Sequence, residues 1–258
     1  MAVMPSGIDH VVIAVADPDA TAAELTETVG LSFTGGGRHE GLGTFNRIAF
    51  LGDAYLELIG VTDVAEAQGW AIGGAAVEAL ERGGGFATWA LADPAIRTTV
   101  PRLQANGSHI GAVTHGSRER PDRERVEWWS ASPPGLGPDR PPLLIKHLEA
   151  GAEWGAEALA ARRAFVHPIG SPVRLDGLDL AVPDPLALAA TCRAEVGLDF
   201  ARDGDNVLAT AGRHVIRFMR GSAAEATIRL EAAVETALST RLLGVGFVVR
   251  PTSWSGPA

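Results

Sequence analysis

Two short stretches of this chain carry side chains able to do chemistry. The first is GGGRHEGLGTFN (35–46), where Arg38, His39, Thr44 and Asn46 could bind an anionic or polar group. It is neither a P-loop nor a dinucleotide fingerprint, because GxxxxGK[ST] and GxGxxG are both missing. A plain hairpin with surface polar residues is the other reading. The second stretch is YLELIG (55–60), an apolar run interrupted by the carboxylate of Glu57. Strand alternation puts Glu57 on one face with Tyr55 and Ile59. If that face is buried, Glu57 needs a partner, because an isolated buried charge is strongly disfavoured. An outward, solvated Glu57 on an edge strand is the alternative.

Other candidates are weaker. Trp89, Trp128 and Trp129 lie on predicted strands, and alternation sends Trp128 and Trp129 to opposite sides. Trp89 and Trp128 are candidates to line a ligand site, with core packing as the default. His109 and His115 share a face but have no third ligand nearby, so they are read as non-metal residues. The run Arg118 to Arg125 mixes charges and reads as a solvated turn. No G-x-S-x-G nucleophile signature occurs. Cys192 is the single cysteine, which excludes an intrachain disulfide and a thiolate metal site.

The elements that must position these residues come from a repeat. Residues 7–18 read GIDHVVIAVADP, and residues 174–185 read RLDGLDLAVPDP. Val29-Gly30-Leu31-Ser32-Phe33 follows the first Asp-Pro at the same distance as Val196-Gly197-Leu198-Asp199-Phe200 follows the second. A weaker copy begins at GGFATWALADP (84–94). In each copy the apolar run predicts a strand. Asp then serves as N-cap and Pro as the first helical residue. Gly30 and Gly197 sit where a helix C-terminus favours a left-handed residue. Three further strands complete each unit: near 31–34, 44–51 and 53–60, then 108–115, 124–131 and 142–148, then 198–202, 205–210 and 213–219. Segments 226–234 and 242–250 predict additional strands, and 63–82 a connecting helix. The glycine-rich stretch at 35–46 is absent from the third copy, which points to a functional loop. The predicted class is α+β, with repeated βαβββ modules. Residues 1–150 form a paired domain, 151–172 a helical and Pro/Gly linker, and 173–258 a third, partial module.

Composition bounds the partners. The chain has 258 residues, 46% of them hydrophobic, and a net charge of −9. That charge argues against nucleic acid, since no basic stripe neutralises phosphates. No apolar run reaches the ~20 residues needed to span a bilayer. The opening MAVMPSGIDH has no secretory pattern, so a cytoplasmic protein is expected. Asn106-Gly107-Ser108 accordingly reads as a turn rather than a glycosylation site.

Paired βαβββ units, together with IDHVVIAVAD (8–17), GGRHEGLGTFNRIAFLGDAYLELIGV (36–61), GSRERPD (116–122) and HPIG (167–170), make the chain resemble the vicinal oxygen chelate superfamily, and within it the glyoxalase-like proteins. The resemblance covers residues 7–183 well. It implies that two modules form a half-barrel cup around a divalent metal, held by a His on the first strand and a Glu on the last strand of each module. The first module keeps both, as His10 and Glu57. The second has Phe86 and Lys146 at the matching places, and the third has Gly177 and Arg217. Two protein ligands hold a catalytic ion poorly.

Two readings of the cup follow. In one, Lys146 points inward and pairs with Glu57 in place of a metal; the strand alignment favours this reading. In the other, a one-residue register shift turns His147 inward, and His10, Glu57 and His147 form a two-His-one-carboxylate metal set. No cofactor is favoured, and a divalent metal remains possible through that set. The expected function is a glyoxalase-like enzyme, nearer a lyase or isomerase than a dioxygenase, acting on a small polar or carbonyl-containing metabolite. His10, Glu57 and Lys146 are its candidate catalytic residues. The alternative is a non-catalytic, drug-sequestering protein of the same fold. The expected partner is a small molecule, not nucleic acid or membrane, and a homodimer is allowed.

Overall fold

Asp17 and Asp184 start the two helices that the repeat predicts. In the computed structural model, which describes residues 5–120, 122–222 and 225–252, the Asp17 carboxylate accepts from the backbone N–H groups of Asp19 and Ala20. Asp184 accepts from those of Leu186 and Ala187. A proline follows each aspartate at the first helical turn. The second copy departs from the pattern: Asp93 accepts a bond from the Ala95 N–H, but its helix starts at Ile96 with Ala95 as the N-cap, so Asp93 is not the cap and Pro94 is not the first helical residue. Pro121 of the 118–125 run, residues 1–4, 223–224 and the 253–258 tail lie outside the described residues.

The first module runs β1 (Gly7–Ala14), α1 (Pro18–Thr28), β2 (Gly35–His39), β3 (Thr44–Leu51) and β4 (Ala54–Val61). Two connecting helices follow, α2 (Val64–Ala67) and α3 (Ala71–Glu81). The second module is β5 (Gly85–Ala92), α4 (Ile96–Ala105), β6 (Thr114–Glu119), β7 (Arg125–Ala131) and β8 (Leu143–His147). The linker holds α5 (Gly151–Trp154) and α6 (Ala156–Ala164). The third module is β9 (Val173–Val182), α7 (Pro185–Val196), β10 (Ala201–Asp203), β11 (Asn206–Ala211) and β12 (His214–Arg220). Three strands end the described chain: β13 (Ala226–Ala232), β14 (Leu238–Leu242) and β15 (Val245–Pro251).

The first two modules close on each other in the order β1-β4-β3-β2-β6-β7-β8-β5. The β2–β6 seam is narrow, with one registered pair, Arg38 opposite Glu119. Glycine makes that seam possible. A Cβ on Gly37 would lie 2.3 Å from the Glu119 carbonyl oxygen, and one on Gly36 would lie 2.3 Å from that of Asn46. The glycine-rich stretch expected as a loop is therefore strand β2 and a tight turn into β3. The strand expected at 31–34 is an irregular connection instead, tied to β3 by the Thr34 N–H to Ile48 carbonyl bond. Pairing in β6 likewise starts at Thr114 rather than residue 108, because Ser108 and His109 are tied to Glu195 of α7.

The second sheet has the order β10-β11-β12-β9-β13-β15-β14. It repeats the pairing logic of the barrel. β1 is parallel to β4 and antiparallel to β5; β9 is parallel to β12 and antiparallel to β13. β5 is parallel to β8, and β13 is parallel to β15. The last three strands thus occupy the places of a fourth module that lacks its helix and one strand. One apolar cluster joins the outer face of the barrel (Val11, Ile13, Leu56, Leu58, Leu91) to the second sheet (Leu178, Leu180, Phe218, Phe247). Inside the barrel, α3 fills one end with Ile72, Ala75, Ala76 and Ala79 against Val12, Ile59 and Ile145. At the other end Trp154 of α5 packs with Ile48, Phe50, Tyr55 and Val126. Among the described residues, no helix is long and apolar enough to cross a membrane.

Candidate functional site

Between those two apolar plugs the barrel interior is polar. His10 and Glu57 both face it, from β1 and β4, with His10 Nε2 3.7 Å from Glu57 Oε2. Asn46 on β3 fixes the carboxylate. Its side-chain oxygen accepts from the Gly37 N–H at 2.9 Å, which turns its NH2 group to donate to Glu57 Oε1 at 2.6 Å. The same NH2 lies 3.5 Å from His39 Nε2. His39 Nδ1 lies 2.8 Å from the Thr44 hydroxyl. Burial pushes the His39 pKa down to about 4, against the attraction of Glu57 and with the repulsion of Arg118. His39 is therefore neutral near pH 7.

The residue that sequence reasoning missed is Asp9. Alternation would send it to the face opposite His10. The β1–β5 register instead slips between Ile8 and His10, leaving Asp9 as the extra residue of a bulge. Its carboxylate lies 2.7 Å from His10 Nδ1 and 3.2 Å from His147 Nε2. A carboxylate only accepts, so both imidazoles present an N–H to it. Burial alone would push the Asp9 carboxyl up, but the facing His147 and His10 hold it well below the usual carboxylate range. The readable signal was an Asp-His pair inside an apolar strand, where each group needs a partner.

Aromatic rings hold the imidazoles in place. Tyr55 stacks on His10 with centroids 4.6 Å apart. Trp154 lies flat on His147. Trp70 and Trp128 present edges to His39 at 5.4 Å and 6.3 Å. The cavity they enclose has a volume of about 30 Å³, roughly enough for one or two water molecules. His10 Nε2 borders it with no hydrogen-bond partner.

Several expectations need correction. Lys146 faces away from the barrel, into an outer groove with Arg97 and Trp129. Strand β8 turns Leu143, Ile145 and His147 inward, so the expected Glu57–Lys146 pair does not form. Trp89 is fully buried in the core outside the barrel, on the face opposite the cup. Arg38 is exposed on the outer face of β2. Trp128, His39, Thr44 and Asn46 do meet at or beside the cavity. His109 lies before β6 and so shares no strand face with His115; it pairs with Glu195, and His115 with Glu127.

The alternative metal set is also not assembled. His147 reaches His10 through Asp9, on the Nδ1 side of the ring, whereas Glu57 lies on the Nε2 side. The three side chains do not converge on one point. No group of three or more His, Cys, Asp or Glu side chains among the described residues is arranged to hold a metal ion. His39, His147 and Glu153 also line the cavity, but His39 is held by Thr44 and Asn46, His147 by Asp9 and Glu153 by Arg118 and Arg120. This leaves His10 Nε2 and Glu57 Oε2 as the uncommitted donors, fewer than the three protein ligands usual in a catalytic site.

The family model for the glyoxalase-like domain matches residues 8–196. The chain belongs to the glyoxalase-like domain family. No curated protein matches it. A hypothetical protein from Staphylococcus aureus superposes with a TM-score of 0.79 at 15% identity, over 95% of this chain and 99% of that one. A mutant 4-hydroxymandelate synthase from Streptomyces coelicolor superposes with a TM-score of 0.50 at 13% identity, over 88% of this chain and 71% of that one. At these identities the likeness shows the fold alone. Within that fold, this glyoxalase-like chain backs His10, one of the two residues that the resemblance made metal ligands, with the Asp9 carboxylate on its Nδ1 side.

Proposed function

We propose that this glyoxalase-like protein is a proton-transfer enzyme of the isomerase or lyase class, acting on a small carbonyl-containing metabolite bound in the barrel. The observation that carries this reading is His10. Its Nδ1 is held by Asp9 at 2.7 Å, while its buried Nε2 faces the cavity without a hydrogen-bond partner. This is the arrangement of a general base: one ring nitrogen fixes the tautomer and the other is free to take a proton. In the proposed step, Nε2 removes a proton from the carbon next to the carbonyl, the C–H electron pair passes to the carbonyl oxygen as an enolate, and the imidazolium then returns a proton to carbon. Asp9 stabilises the resulting imidazolium from one side. Glu57, held by Asn46, faces it from the other at 3.7 Å.

The polar interior supports catalysis over sequestration. A binding cup needs apolar walls and a few polar groups. This one buries Asp9, His10, His39, Glu57 and His147, each less than 9% exposed, and burying ionisable groups is unfavourable unless they are paired. The small cavity volume supports a closed form, so a metabolite enters when the wall carrying Trp154 moves aside. No step here runs through a metal, because the residues present offer too few ligands.

The test is isotope exchange. The full chain is incubated in D2O with a panel of small aldehydes, ketones and 2-oxo acids, and loss of the C–H signal beside the carbonyl is followed by proton NMR. At least one panel member should exchange with the wild type and not with His10→Gln. Exchange that survives His10→Gln, or no exchange across the panel, overturns the reading.

A further inference from the structure

Arg162, on the last turn of α6, is 8% exposed. Its guanidinium carbon lies 4.5 Å from the centre of the Phe50 ring and 4.2 Å from that of Trp154. None of its three guanidinium nitrogens has a hydrogen-bond partner. Its neighbour Arg163 has found a carboxylate, Asp53. The carboxylates that act on Arg162 are Glu153, Asp9 and Asp53, and each is already engaged: Glu153 gives one oxygen to Arg118 and the other to Arg120, Asp9 is held by His10 and His147, and Asp53 pairs with Arg163.

An arginine keeps its charge even when buried. Two aromatic faces offset part of the desolvation, but they leave the in-plane N–H donors unmet. Those donors form a fork that matches a carboxylate or phosphate edge. The nitrogens are themselves buried, so the fork meets a ligand only where the adjoining wall opens. A pocket of about 220 Å³ lies beside it, lined by Arg162, Arg120, Phe50 and Phe165. Glu153 borders both this pocket and the His10 cavity, and Trp154, which Arg162 covers, forms part of that cavity's wall.

We propose that Arg162 is the centre of an oxyanion-binding subsite adjoining the cup, and that the metabolite served by the cup carries a carboxylate or phosphate. The second half rests on the function proposed above; the first does not. A molecule whose carbonyl end lies at His10 would present its anionic end to Arg162 once Trp154 has moved.

The experiment titrates the full chain with acetate and, separately, with inorganic phosphate, at constant ionic strength made up with chloride. Tryptophan fluorescence and the thermal midpoint are read together, since Trp154 lies under the guanidinium. A saturable response to either anion supports the subsite, and the anion that gives it identifies the source. Arg162→Met and, in parallel, Arg162→Gln should weaken that response by about tenfold or more, while Arg162→Lys keeps part of it as a point charge. His10→Gln should bind the anion as the wild type does. Anion binding without isotope exchange would therefore retain the subsite and reject the catalytic reading. No saturable response in the wild type, or an undiminished one in both Arg162→Met and Arg162→Gln, overturns the proposal.

Discussion

The imidazole of His147 lies flat on the indole of Trp154, with ring centroids 3.5 Å apart and planes 5° apart. The first ring belongs to the barrel wall and the second to the linker helix α5. This stack fastens the linker to the barrel mouth, together with Glu153 and its two arginines, Arg118 and Arg120.

Trp154→Ala should therefore loosen the cap. The indole is 7% exposed, and its removal should cost about 3 kcal/mol of folding stability, as large core truncations do. Urea denaturation measures this. A loss below about 1 kcal/mol, the ordinary size for a point mutation, would mean that α5 is not packed as described.

Asp9→Asn should separate orientation from folding. Asparagine fills the same space, but it can offer its NH2 to His10 Nδ1 and favour the wrong tautomer. Isotope exchange on any substrate found should fall by about 10²–10⁴-fold, the usual contribution of a positioned base. Exchange within tenfold of the wild type would remove Asp9 from the mechanism.

Lys146 provides a contrast. It lies outside the barrel with no ion pair to Glu57. Lys146→Met should change stability by no more than about 0.5 kcal/mol, and its effect should add to that of Glu57→Gln within the same margin. A coupling above about 1 kcal/mol in the double-mutant cycle would restore the charge pair that the strand alignment suggested.

Stability should fall on mild acidification. His214 accepts a hydrogen bond from the Ile8 N–H at Nδ1, 2.9 Å away, and so links the second sheet to the barrel. Burial, assisted by Arg213, pushes its pKa down to about 4, and burial does the same to His39. An unfolded histidine takes a proton near pH 6.5. The unfolded chain therefore binds more protons than the folded one between about pH 6.5 and 4. Stability is full above that window and is lost through it, by about 3 kcal/mol at most from each histidine. His214→Gln keeps an acceptor and cannot titrate. Its urea midpoints should fall less steeply between pH 7 and 5 than those of the wild type; an equal slope would remove His214 from the effect.

The repeat was legible because its markers are local. Asp17-Pro18 and Asp184-Pro185 cap their helices through contacts within two or three residues, and Gly30 and Gly197 take the left-handed conformation expected of them. What hid from the sequence depends on pairing between distant strands. A single bulge brought Asp9 into the site. One step of register exchanged Lys146 for His147, because side chains alternate with a period of two. Trp89 fell on the outer face for the same reason. Arg162, in AEALAARRA, looks like any cation on an amphipathic helix; only the tertiary structure covers it with two rings. The truncated fourth unit lacks the Asp-Pro marker and the helix that revealed the others.

Among the described residues the second sheet, unlike the barrel, stays open. A closed barrel offers no free edge, but a seven-stranded sheet ends in two, β10 and β14. Unpaired edges invite strand-to-strand association and, with it, fibre growth. Here β10 is three residues long and fully exposed, and it carries Arg202 and Asp203. β14 places Ser239 and Arg241 outward. Short, charged edges of this kind resist templating. The second sheet thus buttresses the barrel through the shared apolar cluster while its two edges stay short and charged.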